Sequence, residues 1–391
     1  MAVVVLVGGG MGGLSTAIAL RKGLSKDHRV IVVEPQTTQY FLPSLLWVMV
    51  GRRAPGDITR SIDPVSSRGI ILQRGEAVDI DLKRRNVKMK DGELPYDFLV
   101  LAPGAEFATE LIPGLRDRKS HAPGGDNGSE FNLYTMDGVI DLTKALRTFG
   151  GGEIAIVAPP GQWKCPPVPY EAAMLLDGYF RKAHKNRNVR ISVYTPESSP
   201  FEAAGSLVGK AIGQNLEKRG IKCEGNRHLT AVERKRKLIR FRDGVAPYDL
   251  LIFIPPHRAP EITRRCGLSR EGGYVRVDPH SMATQYDGVY VIGDAAEVQL
   301  PSGLPLPKMG AITHLQSLVV AGNIVRRIEG KGKVRSFSGI IPCFIELGGG
   351  TSIAIFGNLY KPGPQFRVFP SFPLWVAAKA LAERNWLRER E

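Results

Sequence analysis

A lysine, a cysteine and a cluster of prolines stand where a nucleotide-binding fold normally keeps glycines. Residues 154–171 read IAIVAPPGQWKCPPVPYE, a buried-type strand (Ile154 to Val157) running into a turn and then a helix expected from about Tyr170. A pyrophosphate needs close backbone approach and free N–H groups at a helix N-terminus, and Pro159, Pro160, Pro166 and Pro167 have none to offer. The turn is therefore built around the thiol of Cys165, and binding of NAD(P)H in this half is disfavoured. Lys164 beside the thiol and a helix N-terminus after it predict a thiol pKa below the usual ~8.5. Glu171 opens the helix and is placed to move protons near that thiol. A lone cysteine is ordinarily inert packing; the stiffening prolines argue against that here. A second cysteine, Cys343, follows Pro342 in GIIPCFIELGGGTSIAIFGN, between strand-like runs. A disulfide requires a Cα separation of roughly 4.4–6.8 Å, which only the fold can supply.

The first half carries an intact nucleotide signature. VVVLVGGGMGGLSTAIAL places Gly8, Gly10 and Gly13 between a β-branched strand and a small-residue helix, and a second strand (Val30 to Val33) ends at Glu34. The glycines give a tight turn, backbone approach to a pyrophosphate and close helix–strand packing, and the acid accepts ribose hydroxyls. Two later segments favour FAD over NAD. Tyr96 to Ala105 (YDFLVLAPGA) is a buried strand closing on a tight turn through Ala102 and Gly104. Thr284 to Asp294 (TQYDGVYVIGD) is a strand ending in Gly293-Asp294, whose carboxylate suits a ribitol hydroxyl.

With these motifs the chain resembles the two-dinucleotide-binding flavoproteins from residue 2 to about 330. KCPPVPYE, IPPHRAP, PKMGAITHLQSLVVAGNI and the late cysteine of SGIIPCFIELG extend the likeness over essentially the whole chain. They point to the sulfide-oxidising branch, sulfide:quinone oxidoreductase and flavocytochrome c sulfide dehydrogenase. The resemblance implies that Cys165 and Cys343 form a redox disulfide or polysulfide bridge beside the flavin, with Cys343 proximal to it and Cys165 accepting sulfur. It matches Glu171 to the acid that follows the first cysteine. Val78 and Lys308 join the residues expected against the cofactor, Lys308 and the helix it precedes adding positive charge for the anionic reduced flavin. Two departures stand out. The third cysteine common in sulfide:quinone oxidoreductases is missing, since residues 106–150 contain none, and Cys223 and Cys266 read as structural. The segment EPQTTQYFLP has no cysteine for a covalent bond, so FAD is expected to be non-covalent.

Around these sites the sequence predicts an α/β protein with two Rossmann-like domains, each with a β-meander insertion, and a C-terminal region ending in an amphipathic helix. Residues 75–105 and 229–258 echo each other: both alternate charged and apolar residues, turn at Asp-Gly (Asp91-Gly92, Asp243-Gly244) and pass through Pro-Tyr-Asp into a buried strand. Asp-Gly between alternating runs signals a hairpin, and the repetition signals duplicated domains. The expected division is 1–120 and 266–330 for the FAD domain, 121–149 for a connecting loop and helix, 150–265 for the thiol domain and 331–391 for the tail region. Arg116 to Asp137, rich in Gly, Asp, Asn and Ser, reads as a surface loop.

A net charge of +15 favours anionic partners. The basic residues are scattered without interleaved aromatics, which excludes a recognisable nucleic-acid motif. No metal site is expected. No run of 18 apolar residues appears, and the N-terminus enters a strand directly, so the expectation is a cytoplasmic protein attached peripherally to a membrane. The tail PLWVAAKALAERNWLRERE predicts a helix from Pro373 with Leu374, Trp375, Ala378, Leu381, Ala382 and Trp386 on one face and Lys379, Glu383, Arg384 and Arg388 on the other. Such a helix suits an anionic membrane interface, docking on the protein being the alternative. Sulfide or a related sulfur species as donor and a quinone as acceptor are the expected partners. With no CxxCH for haem on the chain, a cytochrome partner stays open, as do self-association, a type II NADH dehydrogenase-like activity and an FAD-binding scaffold with inert thiols.

Overall fold

The computed structural model describes residues 1–115, 128–182, 188–269, 273–361 and 365–390. Two five-stranded parallel sheets organise it. In the first, the order is Val289–Val291, Phe98–Leu101, Val3–Val7, Arg29–Glu34, Ile71–Arg74; in the second, Glu130–Asn132, Leu250–Phe253, Gly152–Val157, Val189–Tyr194, Lys222–Glu224. The central strands are continuous β-branched and apolar runs because a parallel sheet is covered on both faces: Val4, Val5 and Leu6 in one and Ile154, Ala155 and Ile156 in the other are fully buried.

The internal repeat is real in three dimensions. Each sheet is interrupted before its second-from-edge strand by an antiparallel meander, Ala77–Asp81 with Asn86–Met89 and Gly92–Pro95, and Leu229–Glu233 with Leu238–Phe241 and Gly244–Pro247. The Asp-Gly turns close both, pairing Met89 with Gly92 and Phe241 with Gly244. The second sheet begins earlier than residue 150, because Glu130–Asn132 pairs with Leu251 to Phe253. Of the stretch read as a surface loop, residues 116–127 lie outside the described residues; the rest forms that strand and the start of the helix Met136–Thr148.

The tail region is an antiparallel sheet, Ile340–Gly348, Thr351–Asn358 and Gln365–Phe372, followed by the helix Pro373–Arg388. Its first strand crosses the thiol helix, Val168–Lys182. Gly348 is needed at this crossing: at φ +76°, a Cβ there would overlap the Met174 carbonyl, and a left-handed φ suits glycine besides. This approach carries Cys343 from a remote part of the chain to the thiol domain.

The last helix docks on the protein through two residues of its charged face and leaves part of its apolar face outward. Lys379 and Glu383 are buried, whereas Leu374 and Leu381 are more than half exposed. The charged residues turn inward because partners wait there. Glu383 accepts from Arg53, at 2.9 Å from Nη2, and Arg53 stacks on Trp47. Trp386 does leave solvent as an apolar residue should, packing with Phe41 and Leu387. Leu45 to Met49 are buried throughout, while Phe41, Leu42 and Pro43 just before them reach the cavity described next.

Candidate active site

A cavity of about 360 Å³ runs along the C-terminal edge of the first sheet. Gly8, Gly10, Glu34, Ala102, Gly104, Gly293, Asp294, Lys308 and Cys165 all line it. Val78 does not; it lies on a meander strand, its carbonyl 3.4 Å from Arg265 Nη1.

The cavity fits a dinucleotide at the level of individual atoms. A Cβ on Gly13 would overlap the Gly8 carbonyl oxygen, whereas a Cβ on Gly10 would meet open space. Thus Gly13 permits the tight packing of the helix Met11–Gly23, and Gly10 leaves the backbone bare where a pyrophosphate approaches. Glu34 Oε2 accepts from the Gly9 N–H at 2.7 Å and its Oε1 from the Gln36 N–H at 2.8 Å, fixing the carboxylate at the cavity wall. Asp294 pairs with Lys164 at 3.4 Å. Lys308 is buried; its Nζ donates to the carbonyls of Asp294 (2.6 Å) and Ala296 (3.3 Å) and sits over the Tyr274 ring. Burial pushes the Lys308 ammonium down to about 8, against the opposing pull of Asp294.

In the second sheet the equivalent turn is closed by the chain itself. Lys164 bridges to Lys308, and the Cys165 N–H donates to the Lys308 carbonyl at 2.6 Å. The Cys165 carbonyl accepts from Val168 at 3.0 Å, which holds Cys165 at φ +53°. A left-handed φ costs a non-glycine residue on the order of 1–3 kcal/mol and persists only where surroundings over-determine it. The position of a second-domain ribose acid is also spent: Glu197 accepts from the Tyr170 hydroxyl at 2.6 Å and from the N–H groups of Phe201 and Glu202.

The thiol itself corrects the sequence expectation. Its pKa is not lowered; burial pushes Cys165 up to about 12, and the Glu171 carboxylate adds to the effect. Lys164, expected to depress it, is turned toward Asp294 and contributes little. Cys343 is buried still more deeply, and burial, Cys165 and Glu171 hold its thiol well above the usual range. All four cysteines are free thiols, and Cys165 and Cys343 are close enough for charge on one to disfavour charge on the other. Of the two, Cys165 lines the cavity and Cys343 does not. Cys223 and Cys266 do not reach it; the latter's Sγ donates to the Thr263 carbonyl.

Glu171 is not a free base. Its Oε1 accepts from Lys379 Nζ and, at 3.2 Å, from the Glu346 N–H. Lys379 also lies 3.2 Å from Glu346 Oε1, and Glu346 is held in turn by Arg52 at 2.6 Å and by the Trp47 indole. Burial raises the Glu171 pKa, Lys379 opposing it. Burial works against the Lys379 charge, but the two carboxylates outweigh it and hold the ammonium above the ordinary lysine range. Sequence reasoning missed Lys379, Glu346, Arg52 and Tyr134, whose hydroxyl donates to the Lys164 carbonyl. One signal was present: Glu346 stands in an otherwise apolar strand three residues after Cys343.

This geometry predicts an inverted role for Glu171. Because its charge raises both thiols while Lys379 lowers them, Glu171→Gln is expected to speed alkylation of reduced Cys165 by iodoacetamide at pH 8, by roughly threefold to tenfold. In both proteins the rate should climb about tenfold per pH unit between 7 and 10, since only the thiolate reacts. Slower alkylation in the variant would instead mark Glu171 as the base.

Comparison with known proteins places this architecture. The model of the family described as pyridine nucleotide-disulphide oxidoreductase matches residues 2–321. The chain is 25% identical over 354 residues to the mitochondrial sulfide:quinone oxidoreductase of Dictyostelium discoideum, covering 87% of this chain and 74% of that protein. It is also 25% identical over 340 residues to a type II NADH:quinone oxidoreductase of Mycobacterium tuberculosis, covering 79% and 68% respectively. Among solved structures, the sulfide:quinone oxidoreductase of Aquifex aeolicus superposes with a TM-score of 0.86 at 21% identity, over 100% of this chain and 91% of that one.

Proposed function

This chain belongs to the pyridine nucleotide-disulphide oxidoreductase family and is an FAD-dependent oxidoreductase; from that premise we propose that it oxidises sulfide and passes the electrons to a quinone. The observation that carries the reading is the approach of a remote buried cysteine, Cys343, to Cys165 at the wall of the flavin cavity, where the chain has closed its own second nucleotide turn. FAD, held non-covalently by the Gly8–Gly13 turn, Glu34, Asp294 and their neighbours, supplies a two-electron acceptor beside the thiols.

In the oxidised protein Cys165 and Cys343 form a disulfide. HS⁻ attacks one sulfur: a new S–S bond forms, the old one breaks, one cysteine becomes a persulfide and the other leaves as a thiolate. Rejoining persulfide and thiolate as a bridge lengthened by one sulfur releases two electrons and one proton. Lys379 assists by lowering the cost of the leaving thiolate at either cysteine. Without the third cysteine, the sulfur chain grows on these two residues alone.

The acceptor side is the tail region. Ile340, Phe356, Phe369, Phe372, Leu374 and Leu381 are exposed large apolar residues. Phe344 stacks with Trp375 (centroids 6.1 Å apart), and Phe356 meets Phe369 edge-on. A contiguous apolar surface of this kind marks an interaction face. Arg384 and Arg388 are exposed further along the helix, suiting an anionic lipid surface. Among the described residues no helix is long and apolar enough to cross a membrane, so the proposed attachment is peripheral. Phe344 neighbours Cys343 on one strand, so a quinone docked here lies a short distance from the redox pair.

The test is anaerobic bleaching of the flavin. Sulfide is expected to bleach it at near one equivalent, NADH at similar concentration to leave it oxidised, and a short-chain quinone analogue to restore the absorbance. Bleaching by NADH with no response to sulfide would overturn the proposal in favour of an NADH:quinone reductase. Reoxidation by a cytochrome but not by the quinone would overturn its acceptor half.

A further inference from the structure

Two lysines reach the wall of the flavin cavity, Lys164 and Lys308, and they are not equivalent. The Lys308 ammonium is spent. Its Nζ donates to the carbonyls of Asp294 at 2.6 Å and Ala296 at 3.3 Å and rests 3.5 Å from the centre of the Tyr274 ring. Burial also pushes it down to about 8, so it sheds its charge in mild alkali. Lys164 keeps its donors. Its Nζ stands 3.4 Å from Asp294 Oδ2, beyond the roughly 2.7–3.2 Å of an N–H···O bond, and 5.0 Å from the centre of the Phe107 ring. Its side chain is 16% exposed, with the cavity beside it. His257, edge-on to the same Phe107 ring, is no substitute: burial, then Lys164 itself, hold it down to about 4 and so uncharged.

Sheet topology says which part of the cofactor Lys164 meets. Glu34 ends the strand Arg29–Glu34, and Asp294 follows the strand Val289–Val291. Those strands stand three places apart in one parallel sheet, about 14 Å at the ordinary strand spacing. A dinucleotide laid across the strand ends with a ribose at Glu34 therefore carries its redox ring toward Asp294. That is where the thiol domain enters the cavity, through two consecutive residues, Lys164 and Cys165. The backbone there is fixed, because the Tyr134 hydroxyl donates to the Lys164 carbonyl and Lys164 bridges to Lys308. The ammonium that Asp294 draws away from the thiol is thus delivered to the ring end of the cofactor.

We propose that Lys164 is a cofactor-contacting residue whose ammonium stabilises the reduced flavin over the oxidised one. Two electrons and one proton taken up by the neutral ring leave one negative charge on it. A preorganised cation favours the state in which that charge exists, so the flavin becomes easier to reduce. The proposal rests on FAD as the cofactor and not on sulfide as the donor. Lys164 then serves the flavin rather than Cys165, and the positive charge expected of Lys308 comes from its neighbour across the backbone bridge.

The experiment uses the FAD-loaded full chain and two readouts that do not involve turnover. The two-electron equilibrium of the flavin is measured anaerobically against a reference dye, and release of oxidised FAD on dilution is followed by the rise in flavin fluorescence. Lys164→Met is expected to shift the equilibrium about tenfold toward oxidised flavin, about 30 mV for a two-electron couple. Oxidised FAD, whose ring is neutral, should leave within about threefold of the wild-type rate. Lys164→Arg keeps the charge and should hold the equilibrium within about threefold of wild type. The shift should recur in full when Lys164→Met is placed on Asp294→Asn, since a direct effect on the ring does not pass through that carboxylate. A shift of less than about threefold in Lys164→Met overturns the proposal, and faster FAD release with the equilibrium unmoved does so by showing a packing role only. A shift that vanishes in the Asp294→Asn background overturns it too, because the lysine would then act only by neutralising its partner. An equal shift in Lys164→Arg has the same force, charge being no part of the effect. Should Lys164→Met not fold, Lys164→Gln decides in the same way. A flavin tuned as proposed yet inert to sulfide would overturn the sulfide reading and leave this one standing.

Discussion

Cys343→Ser is expected to retain FAD and to lose reduction of the flavin by sulfide by at least about a thousandfold. Cys343 is buried and does not line the cavity, so an almost isosteric replacement disturbs no cofactor contact. What disappears is the second sulfur of the bridge, and a serine oxygen cannot be one end of a disulfide. Cys165→Ser should show the same loss for the same reason, even though Cys165 lies at the cavity and carries the strained backbone. Because the two sulfurs act as one unit, the double variant should be no slower than either single one, the non-additivity expected of a shared bond. Stopped-flow absorbance near 450 nm under anaerobic sulfide measures all three. Near-normal bleaching in either single variant would remove the bridge from the mechanism. A double variant much slower than both would mean that the cysteines contribute separately.

The elements behind this prediction differ in how legible they were. The Gly8–Gly13 turn, Glu34 and the strand ending at Asp294 could be read directly, because each requires a residue type at a fixed local spacing, and all of them line one cavity. The duplicated meander was equally readable, since Asp-Gly and Pro-Tyr-Asp repeat in the same order. The likeness to sulfide:quinone oxidoreductases, first carried by KCPPVPYE, extends through the fold. What the sequence concealed is long-range. A lysine beside a cysteine promises an activated thiol only if its ammonium stays there, and Lys164 is drawn to Asp294 instead. The last helix looked like a surface helix with its apolar face inward or in lipid. Its burial is decided by Glu171 and Arg53, hundreds of residues distant, and by Glu346 on another element, partners that no local period reveals. Hydrophobic patterning assumes that charges prefer water; where three elements bring compensating charges together, that assumption fails at the site that matters.

Lys379→Met is the second large effect, expected to lower stability by about 3–5 kcal/mol at pH 8. Lys379 separates two carboxylates that are 5% (Glu171) and 0% (Glu346) exposed. Arg52 compensates only Glu346, and does so from a position whose side chain is 35% exposed. With the ammonium gone, Glu171 faces a like charge in a buried place, and its pKa, already raised by burial, must rise further. A carboxyl whose folded pKa lies above its unfolded value favours the fold fully below the unfolded value. That contribution is lost as pH rises through the folded one. The defect of Lys379→Met relative to wild type should therefore be small near pH 4.5 and grow toward pH 8. Adding Glu171→Gln removes the uncompensated charge, so the double variant should recover to within about 1 kcal/mol of wild type at pH 8. Urea-unfolding midpoints of the FAD-loaded proteins at the two pH values read both effects. A single variant as stable as wild type at pH 8 would show that the lysine bears no such load. A double variant no better than the single one would show that its loss acts through packing against Trp47, whose ring the ammonium also approaches at 5.5 Å, rather than through charge. The same pair reports on chemistry, because Lys379 lowers both thiols and Glu171 raises them. Lys379→Met should slow alkylation of Cys165 where Glu171→Gln speeds it, so that one buried ion pair sets both the docking of the helix and the reactivity of the sulfur.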